Sequence, residues 1–164
     1  MKLWDTESAA AVIRPRIGKE TAVISLQNGV IKDEILMTAL GERAVVGGVC
    51  YIAATIAEPG VIAHTGTMQR IVFGEYDGRT SERVQQFLQA CQRAGIDAEI
   101  SADIRKTIWE KFVLLVGLSA TTSTTRLPIG KVRSNPTRAG CWPVSCRRSS
   151  MWPSRRECRS LVIS

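Results

Sequence analysis

The run TAVISLQNG at residues 21–29 constrains the fold more than any other segment. It is short, apolar and β-branched at its centre, and Asn-Gly closes it, which is typical of a buried parallel strand that leads into a loop. A parallel strand needs a crossover connection, most often a helix, to reach its neighbour. The next segment, IKDEILMTAL at 31–40, has the apolar spacing of an amphipathic helix and stops at Gly41. Together the two segments predict an α/β sheet.

After Gly41 the pattern changes to β-rich runs that are separated by turn residues, with no helix between them. These runs cover residues 44–55, 60–66 and 69–75. A helix is predicted next at 80–95, with Ser81 near its start and Gly95 as its stop, and a strand follows at 96–101. This order of elements is that of the back half of an α/β sheet domain.

Three further expectations concern the N-terminal residues and the glycines. Residues 5–18 read as a helix whose last turn is distorted by Pro15. Met1–Trp4 looks like the last residues of a strand. Gly47-Gly48 lies inside a β-rich run, where such a pair more often marks a β-bulge. No G-x-G-x-x-G sequence opens any helix of the chain.

A long helical pattern begins at Asp103 and becomes apolar on all sides at 112–118, which is typical of a helix buried in a domain core. Its apolar run is far shorter than the ~20 residues of a membrane span, so no membrane partner is expected. We predict three regions: a partial α/β domain at 1–101, the start of a helical domain at 102–138, and a tail at 139–164.

The basic charge of the chain is concentrated in the tail. Residues 141–164 contain five Arg and one Glu, a net charge of +4 out of +7 for the whole chain. A shifted reading frame there would place apolar residues at 140, 141, 145 and 151, a spacing that suits a helix. We interpret the tail as the product of a frameshift and expect it to be disordered and without function. The alternative is an Arg- and Trp-containing arm that binds nucleic acid by charge and stacking, but that reading does not explain the helix in the shifted frame.

The cysteines favour a reducing compartment. Cys50 and Cys91 stand singly inside apolar segments, as buried free thiols do. The three tail cysteines lack the paired spacing of a zinc site, and the chain has only one histidine, His64. No metal site is therefore expected. Because the chain also begins without a basic-then-apolar signal peptide, we expect a cytoplasmic protein.

Five motifs in collinear order resemble the ketopantoate reductase (2-dehydropantoate 2-reductase) family. They are KLWD at 2–5, SLQNGV at 25–30, GGVCYIAATIAEPGVIAHTG at 47–66, IVFGE at 71–75 and DIRKTIWEKF at 103–112. The resemblance implies a Rossmann-type NADP-binding domain, here its back half, followed by the first helix of an all-α C-terminal domain. It also implies reduction of 2-dehydropantoate, or a related 2-oxo acid, with NADPH on the route to pantothenate and coenzyme A.

The resemblance assigns roles to five residues. Lys111 falls on the family's catalytic lysine, and an ammonium group suits the reaction because it can stabilise the alkoxide and supply its proton. Without the family, Lys111 would read as a solvated or snorkelling helix lysine. Lys2, Asn28 and Ala54 fall beside the cofactor, although Asn28 is equally typical of an Asn-Gly turn. Ser119 falls on a substrate-binding position.

The chain departs from the family pattern at two places in the helix after Lys111. Many members carry asparagines four and eight positions on, where this chain has Leu115 and Ser119. Leucine cannot hydrogen-bond a substrate, which points either to a different 2-oxo acid or to plain packing of Leu115. The family's phosphate-binding turn lies upstream of Met1, and its substrate-side serine and glutamate lie beyond the resemblance. We therefore expect this polypeptide to be truncated and inactive by itself.

Overall fold

The computed structural model describes residues 1–134. The described helices are α1 (Thr6–Ile13), α2 (Lys32–Leu40), α3 (Glu82–Arg93), α4 (Ile104–Thr125) and α5 (Ile129–Ser134), with short 3₁₀ turns at Leu3–Asp5, Arg14–Arg16 and Glu42–Ala44. The described strands are β1 (Val23–Ile24), β2 (Val45–Glu58), β3 (Val61–Gly74) and β4 (Asp97–Ile100). The tail predicted at 139–164, with its frameshift and its nucleic-acid alternative, lies outside the described residues.

The four strands form one sheet in the order β1-β2-β3-β4. The pairs β1–β2 and β3–β4 are parallel, and β2 and β3 form a long antiparallel hairpin. Helix α2 connects the first parallel pair and α3 the second, as parallel strands require. The predicted α/β fold class is confirmed, and the strand at 21–29 is parallel as expected, although only Val23–Ile24 pairs in the ladder.

Neighbouring residues of β2 pack on opposite faces of this sheet, because side chains alternate along a strand. Val45 packs with Ala10 of α1 and Leu36 of α2. Val46 packs with Phe73 and with Val84 of α3. A third cluster joins the sheet to the start of α4 and contains Val49, Val72, Ile104 and Ile108. The sheet core is therefore covered on both faces.

The β-rich region differs from the prediction in two respects. The runs at 60–66 and 69–75 form the single strand β3, and the register shifts of the hairpin lie between Ile52 and Ala54 and between Ile56 and Glu58. The predicted bulge at Gly47-Gly48 is wrong, because both glycines pair regularly. Glycine is needed there for close approach: an added Cβ would lie 2.7 Å from Ile104 at Gly47 and 2.6 Å from Ile24 at Gly48.

The predicted strand end at Met1–Trp4 is also wrong. Leu3–Asp5 form a 3₁₀ turn that leads into α1, and the backbone N–H of Lys2 donates to Asp5 Oδ2 at 3.0 Å. This local hydrogen bond satisfies the backbone in a turn, where a strand would need a partner. The helix predicted at 5–18 ends at Ile13, and the 3₁₀ turn Arg14–Arg16 contains the expected distortion at Pro15.

The chain divides into two compact units, Met1–Trp109 and a second one that begins at Glu110. In the second unit α4 is not buried on all sides, contrary to the prediction, since Val113 is 44% and Val116 is 49% exposed. The other described helix of that unit, α5, has six residues and is too short to cover every face of α4. In the first unit Ile104 and Ile108 are buried as expected, but Trp109 is exposed.

Candidate functional site

The loop from Ser25 to Gly29 follows the carboxyl end of β1. In open α/β sheets, ligands bind outside the carboxyl ends of the strands, so this loop is the first place to look for a site. Gly29 has φ +104°, a conformation that glycine adopts without strain. The turn therefore directs the chain from β1 towards α2 directly after Asn28.

Gln27 ties this loop to the N-terminal segment. Its Nε2 donates to the carbonyl of Lys2 at 3.2 Å and to the hydroxyl of the buried Thr6 at 3.2 Å. The hydroxyl of Ser25 donates to Gln27 Oε1 at 3.0 Å. The structure thus brings the segment of Lys2 together with the loop that carries Asn28. Sequence reasoning missed Gln27, although the residue lies within the motif SLQNGV.

A fully buried lysine lies below the same loop. The ammonium Nζ of Lys32 donates to the carbonyl of Ser25 at 2.9 Å and to Asp33 Oδ2 at 2.7 Å. Burial lowers the pKa of Lys32, and the neighbouring Asp33 carboxylate opposes this effect. The hydroxyl of Tyr76 donates to the same Asp33 oxygen at 2.6 Å. Burial, with this hydrogen bond, raises the pKa of Tyr76, so the phenol stays a donor.

Ala54 lies apart from this loop. It is an exposed residue of β2 and pairs with His64 across the hairpin. The β2 residue that packs against the loop is Gly48, whose added Cβ would meet Leu26 at 3.3 Å. Ala54 is six residues further along the strand, or about 20 Å at the usual rise per residue. Its role beside the cofactor stays a prediction.

Lys111 and Ser119 are in the part of α4 that belongs to the second unit. Lys111 is buried, at 7% exposure, and Ser119 is exposed. Steps of four residues place Lys111, Leu115 and Ser119 on one side of the helix. A lysine is almost never buried to this degree unless its charge has a partner or a function. The catalytic role of Lys111 and the substrate role of Ser119 stay predictions.

The glutamate of the motif IVFGE forms a structural ion pair. Arg83 holds Glu75 in a bidentate contact, with Nε–Oε1 and Nη2–Oε2 distances of 2.7 Å each. Ser81 donates to Glu75 at 2.6 Å and also accepts from the N–H of Val84 as the N-cap of α3. Arg83 further donates to the carbonyl of Arg43 at 2.7 Å. This network fixes the start of α3 to the ends of β2 and β3.

Residues 1–134 also bear on two other possibilities, a metal centre and a membrane-spanning helix. Across these residues, no group of three or more His, Cys, Asp or Glu side chains is arranged to hold a metal ion. None of the helices in this part of the chain has the length and hydropathy that a bilayer crossing needs.

Comparison with known proteins identifies the family. The family model described as ketopantoate reductase PanE/ApbA matches residues 1–78. The 2-dehydropantoate 2-reductase of Halobacterium salinarum is 30% identical over 75% of the chain. The chain belongs to the ketopantoate reductase family. The chain spans 40% of that enzyme's length, and an uncharacterised oxidoreductase of Bacillus subtilis, YkpB, is 31% identical over 73% of the chain and 40% of its own length.

Solved structures agree with the family and with its Rossmann-like fold. The 2-dehydropantoate 2-reductase of Geobacter metallireducens superposes with a TM-score of 0.76 at 26% identity, over 85% of this chain and 46% of that one. D-mandelate dehydrogenase in complex with NADH superposes with a TM-score of 0.75 at 16% identity, over 85% of this chain and 47% of that one, a likeness that concerns the fold alone.

Proposed function

We propose that this chain carries part of an NADPH-dependent reductase whose substrate is 2-dehydropantoate or a related 2-oxo acid, on the route to pantothenate and coenzyme A. The observation that carries the proposal is the burial of Lys111 in the WEKF segment of α4, at the position of the family's catalytic lysine. A buried ammonium group costs free energy unless its charge has a partner or a function, and the resemblance gives Lys111 the function of the catalytic lysine.

The chemistry proposed for Lys111 is proton donation. When bound, NADPH supplies a hydride to the carbonyl carbon of the 2-oxo acid. The electron pair of the carbonyl double bond then moves to its oxygen. The ammonium group of Lys111 stabilises that negative charge and transfers one proton to the oxygen, which leaves a 2-hydroxy acid and a neutral amine. The amine regains its proton from solvent, so the lysine is restored for the next turnover.

The residues near the Ser25–Gly29 loop fit the nicotinamide side of such a cofactor. Asn28 offers amide donors and acceptors and Lys2 offers an ammonium group, and the Gln27 contacts hold their two segments together. The sequence contains no G-x-G-x-x-G turn for the cofactor's phosphates. Binding to this polypeptide would therefore use only part of the contacts that a complete Rossmann domain makes.

The substrate side of α4 favours a less polar 2-oxo acid. Leu115 and Ser119 follow Lys111 at intervals of one helical turn, and Leu115 offers no hydrogen bond. We propose that Ser119 contacts the polar end of the substrate. We also propose that the side chain of Leu115 packs against an apolar substituent of the substrate. Comparison of 2-dehydropantoate with 2-oxo acids of different side chains would identify the substrate.

The function can be tested in a chimaera in which residues 1–134 replace the matched segment of the Geobacter metallireducens enzyme. We expect the purified chimaera to oxidise NADPH when a 2-oxo acid is added, and to produce one 2-hydroxy acid per NADPH consumed. A folded chimaera that binds NADPH but reduces none of a panel of 2-oxo acids would contradict the proposed function. The unmodified Geobacter enzyme is the positive control.

The 164-residue polypeptide by itself should not bind NADPH measurably. The phosphate-binding turn supplies much of the cofactor affinity of a Rossmann domain, and this polypeptide does not contain it. Titration of NADPH fluorescence with the purified polypeptide should show no saturable binding in the micromolar range. Saturable micromolar binding would contradict this expectation.

We also propose that the 164-residue polypeptide self-associates through its β2–β3 hairpin. Ile56 is 75% and Ile62 is 65% exposed, and the two residues face each other across the strands. Exposed apolar side chains on a long hairpin favour pairing with a second copy. Sedimentation should show association that rises with concentration, and Ile56→Lys together with Ile62→Lys should reduce it. The same association in the double variant would exclude this surface.

A reducing compartment, the cytoplasm, is the proposed location. Cys91 is a free thiol in the described structure, and it is buried. Free cysteines of this kind are the rule where glutathione and thioredoxin keep thiols reduced. Nicotinamide-dependent reduction of a small metabolite is in keeping with that location.

A further inference from the structure

Lys32 is the most buried charged residue described in the chain, with no exposed surface. Its position is unfavourable in two ways. Burial of an ammonium group costs free energy that packing does not return. Lys32 is also the first residue of α2, where the helix dipole favours negative charge over positive charge. The helix would therefore be more stable with an acidic or apolar residue here, so the reason for this lysine must be sought in its contacts.

One hydrogen bond of the ammonium group reaches the Ser25–Gly29 loop, and the other holds the lysine in position beside it. Nζ donates to the carbonyl of Ser25 at 2.9 Å, the first residue of the loop. It also donates to Asp33 Oδ2 at 2.7 Å, and this carboxylate accepts from Tyr76 at 2.6 Å. Asp33 Oδ1, in contrast, is buried and accepts no hydrogen bond in the structure. One oxygen of the carboxylate thus accepts hydrogen bonds from both Lys32 and Tyr76, while the other oxygen accepts none.

Gln27 provides a second anchor for the loop. Ser25 and Gln27 hydrogen-bond to each other at 3.0 Å, and Gln27 reaches the carbonyl of Lys2. Contacts therefore run without interruption from Tyr76 through Asp33 and Lys32 to the loop. Asn28 lies one residue beyond Gln27, so its location depends on both anchors.

We propose that Lys32 is a positioning residue whose ammonium group anchors the Ser25–Gly29 loop and so holds Asn28 in place for the nicotinamide cofactor. The part that concerns the cofactor rests on the proposed function, whereas the anchoring of the loop does not. Lys32 acts through the Ser25 carbonyl. A longer or uncharged side chain at this position would not provide the same hydrogen bonds to both Ser25 and Asp33.

The anchoring can be tested in the 164-residue chain by NMR relaxation of the backbone amides of Leu26–Gly29. In the parent chain we expect order parameters of a rigid backbone, about 0.85, and in Lys32→Met values below about 0.6. The carbonyl carbon of Ser25 should also shift upfield when its donor is removed. Unchanged order parameters and an unchanged Ser25 carbonyl in Lys32→Met would overturn the proposal.

Two further variants keep this test decisive. Lys32→Met leaves the Asp33 carboxylate buried without its cation, which can prevent folding, so Lys32→Met/Asp33→Asn removes both charges and is measured in the same way. Val84→Ala is the control for general loss of stability, because Val84 is buried in a different cluster, with Val46 and Phe73. Val84→Ala should lower the melting temperature and leave the loop rigid. Equal loosening of the loop in Val84→Ala would show that Lys32 has only a general structural role.

The proposed role of Lys32 in cofactor binding can be tested in the chimaera. The test compares the effect of Lys32→Met on KM for NADPH with its effect on kcat. Because Lys32 does not touch the reacting atoms in this account, Lys32→Met should raise KM for NADPH about tenfold and change kcat by less than about twofold. An unchanged KM in an active chimaera would overturn the cofactor part of the proposal. If neither the parent chimaera nor its Lys32→Met variant is active, the proposed function fails. The NMR result alone then decides whether Lys32 anchors the loop.

Discussion

Replacement of Lys111 by alanine should lower kcat of the chimaera by about 100-fold or more, the range expected when a general acid is lost together with its charge. NADPH affinity should stay nearly unchanged, because the phosphates are bound by other residues. The loss should appear equally in kcat and in kcat/KM for the 2-oxo acid, as it does when an interaction made in the transition state is removed. Steady-state kinetics with both substrates varied would measure this division.

Two variants distinguish the chemistry of Lys111 from its charge and from damage to the helix. Lys111→Arg should restore little activity, because a guanidinium group keeps the charge but does not release a proton near neutral pH. Lys106→Ala is the matched control, since Lys106 is an exposed lysine of the same helix, and kcat should be unaffected. If the Lys111→Ala chimaera keeps most of its turnover, Lys111 is a helix lysine without a catalytic role.

Replacement of Glu75 by glutamine should lower the free energy of unfolding by roughly 3 kcal/mol, the lower end of the range for breaking a buried ion pair. Glu75 and Arg83 are both largely buried, and their contact is bidentate. Glutamine keeps the size of the side chain but leaves the guanidinium without its counter-charge. The carbonyl of Arg43, which Arg83 also binds, would not replace the lost carboxylate. Urea unfolding of the 164-residue chain measures the change.

The pH dependence of the free energy of unfolding provides a second, independent test of the Glu75–Arg83 pair. Hydrogen bonds from Arg83 hold the pKa of Glu75 below its ordinary value of 4.5. A depressed carboxylate pKa contributes stability above the unfolded-state value, and this contribution is lost as pH falls through the folded-state value. The difference between the parent and Glu75→Gln should therefore be full at neutral pH and shrink below about pH 4.5.

An exposed ion pair offers the control for this experiment. Glu20 pairs with Arg43 at 3.4 Å, and the Glu20 side chain is 89% exposed. Glu20→Gln should change the free energy of unfolding by no more than about 0.5 kcal/mol. A similar loss in Glu20→Gln and Glu75→Gln, or a difference from the parent that does not depend on pH, would contradict the role given to the Glu75–Arg83 pair.

The central part of the fold was predictable because its signals are local. The apolar centre of residues 21–29 and the spacing of 31–40 identify β1 and α2, and Ser81 marks the start of α3, where its side chain caps the helix. Each of these signals depends on residues within a few positions of one another. The sheet order follows from them, since parallel neighbours require helical crossovers.

The features that were missed depend on residues that are distant in the sequence. Lys32 is followed by two acidic residues, so it reads as part of a solvated first turn, and its burial becomes evident only through Asp33 and Tyr76, which lies 43 residues after Asp33. The regular pairing of Gly47-Gly48 likewise depends on Ile24 and Ile104. No local pattern reports such contacts, whereas the role predicted for Lys111 rests on the resemblance of its motif to the family's.

The rate of NADPH oxidation by the chimaera in the presence of 2-dehydropantoate tests the central claim most directly, because it measures the reaction proposed for this chain and the role proposed for Lys111. The expected result is oxidation that saturates with the 2-oxo acid, that yields the 2-hydroxy acid, and that is lost in the Lys111→Ala chimaera. The account would be contradicted if the parent chimaera and its Lys111→Ala variant are both folded and oxidise NADPH at the same rate, whether the 2-oxo acid is present or not.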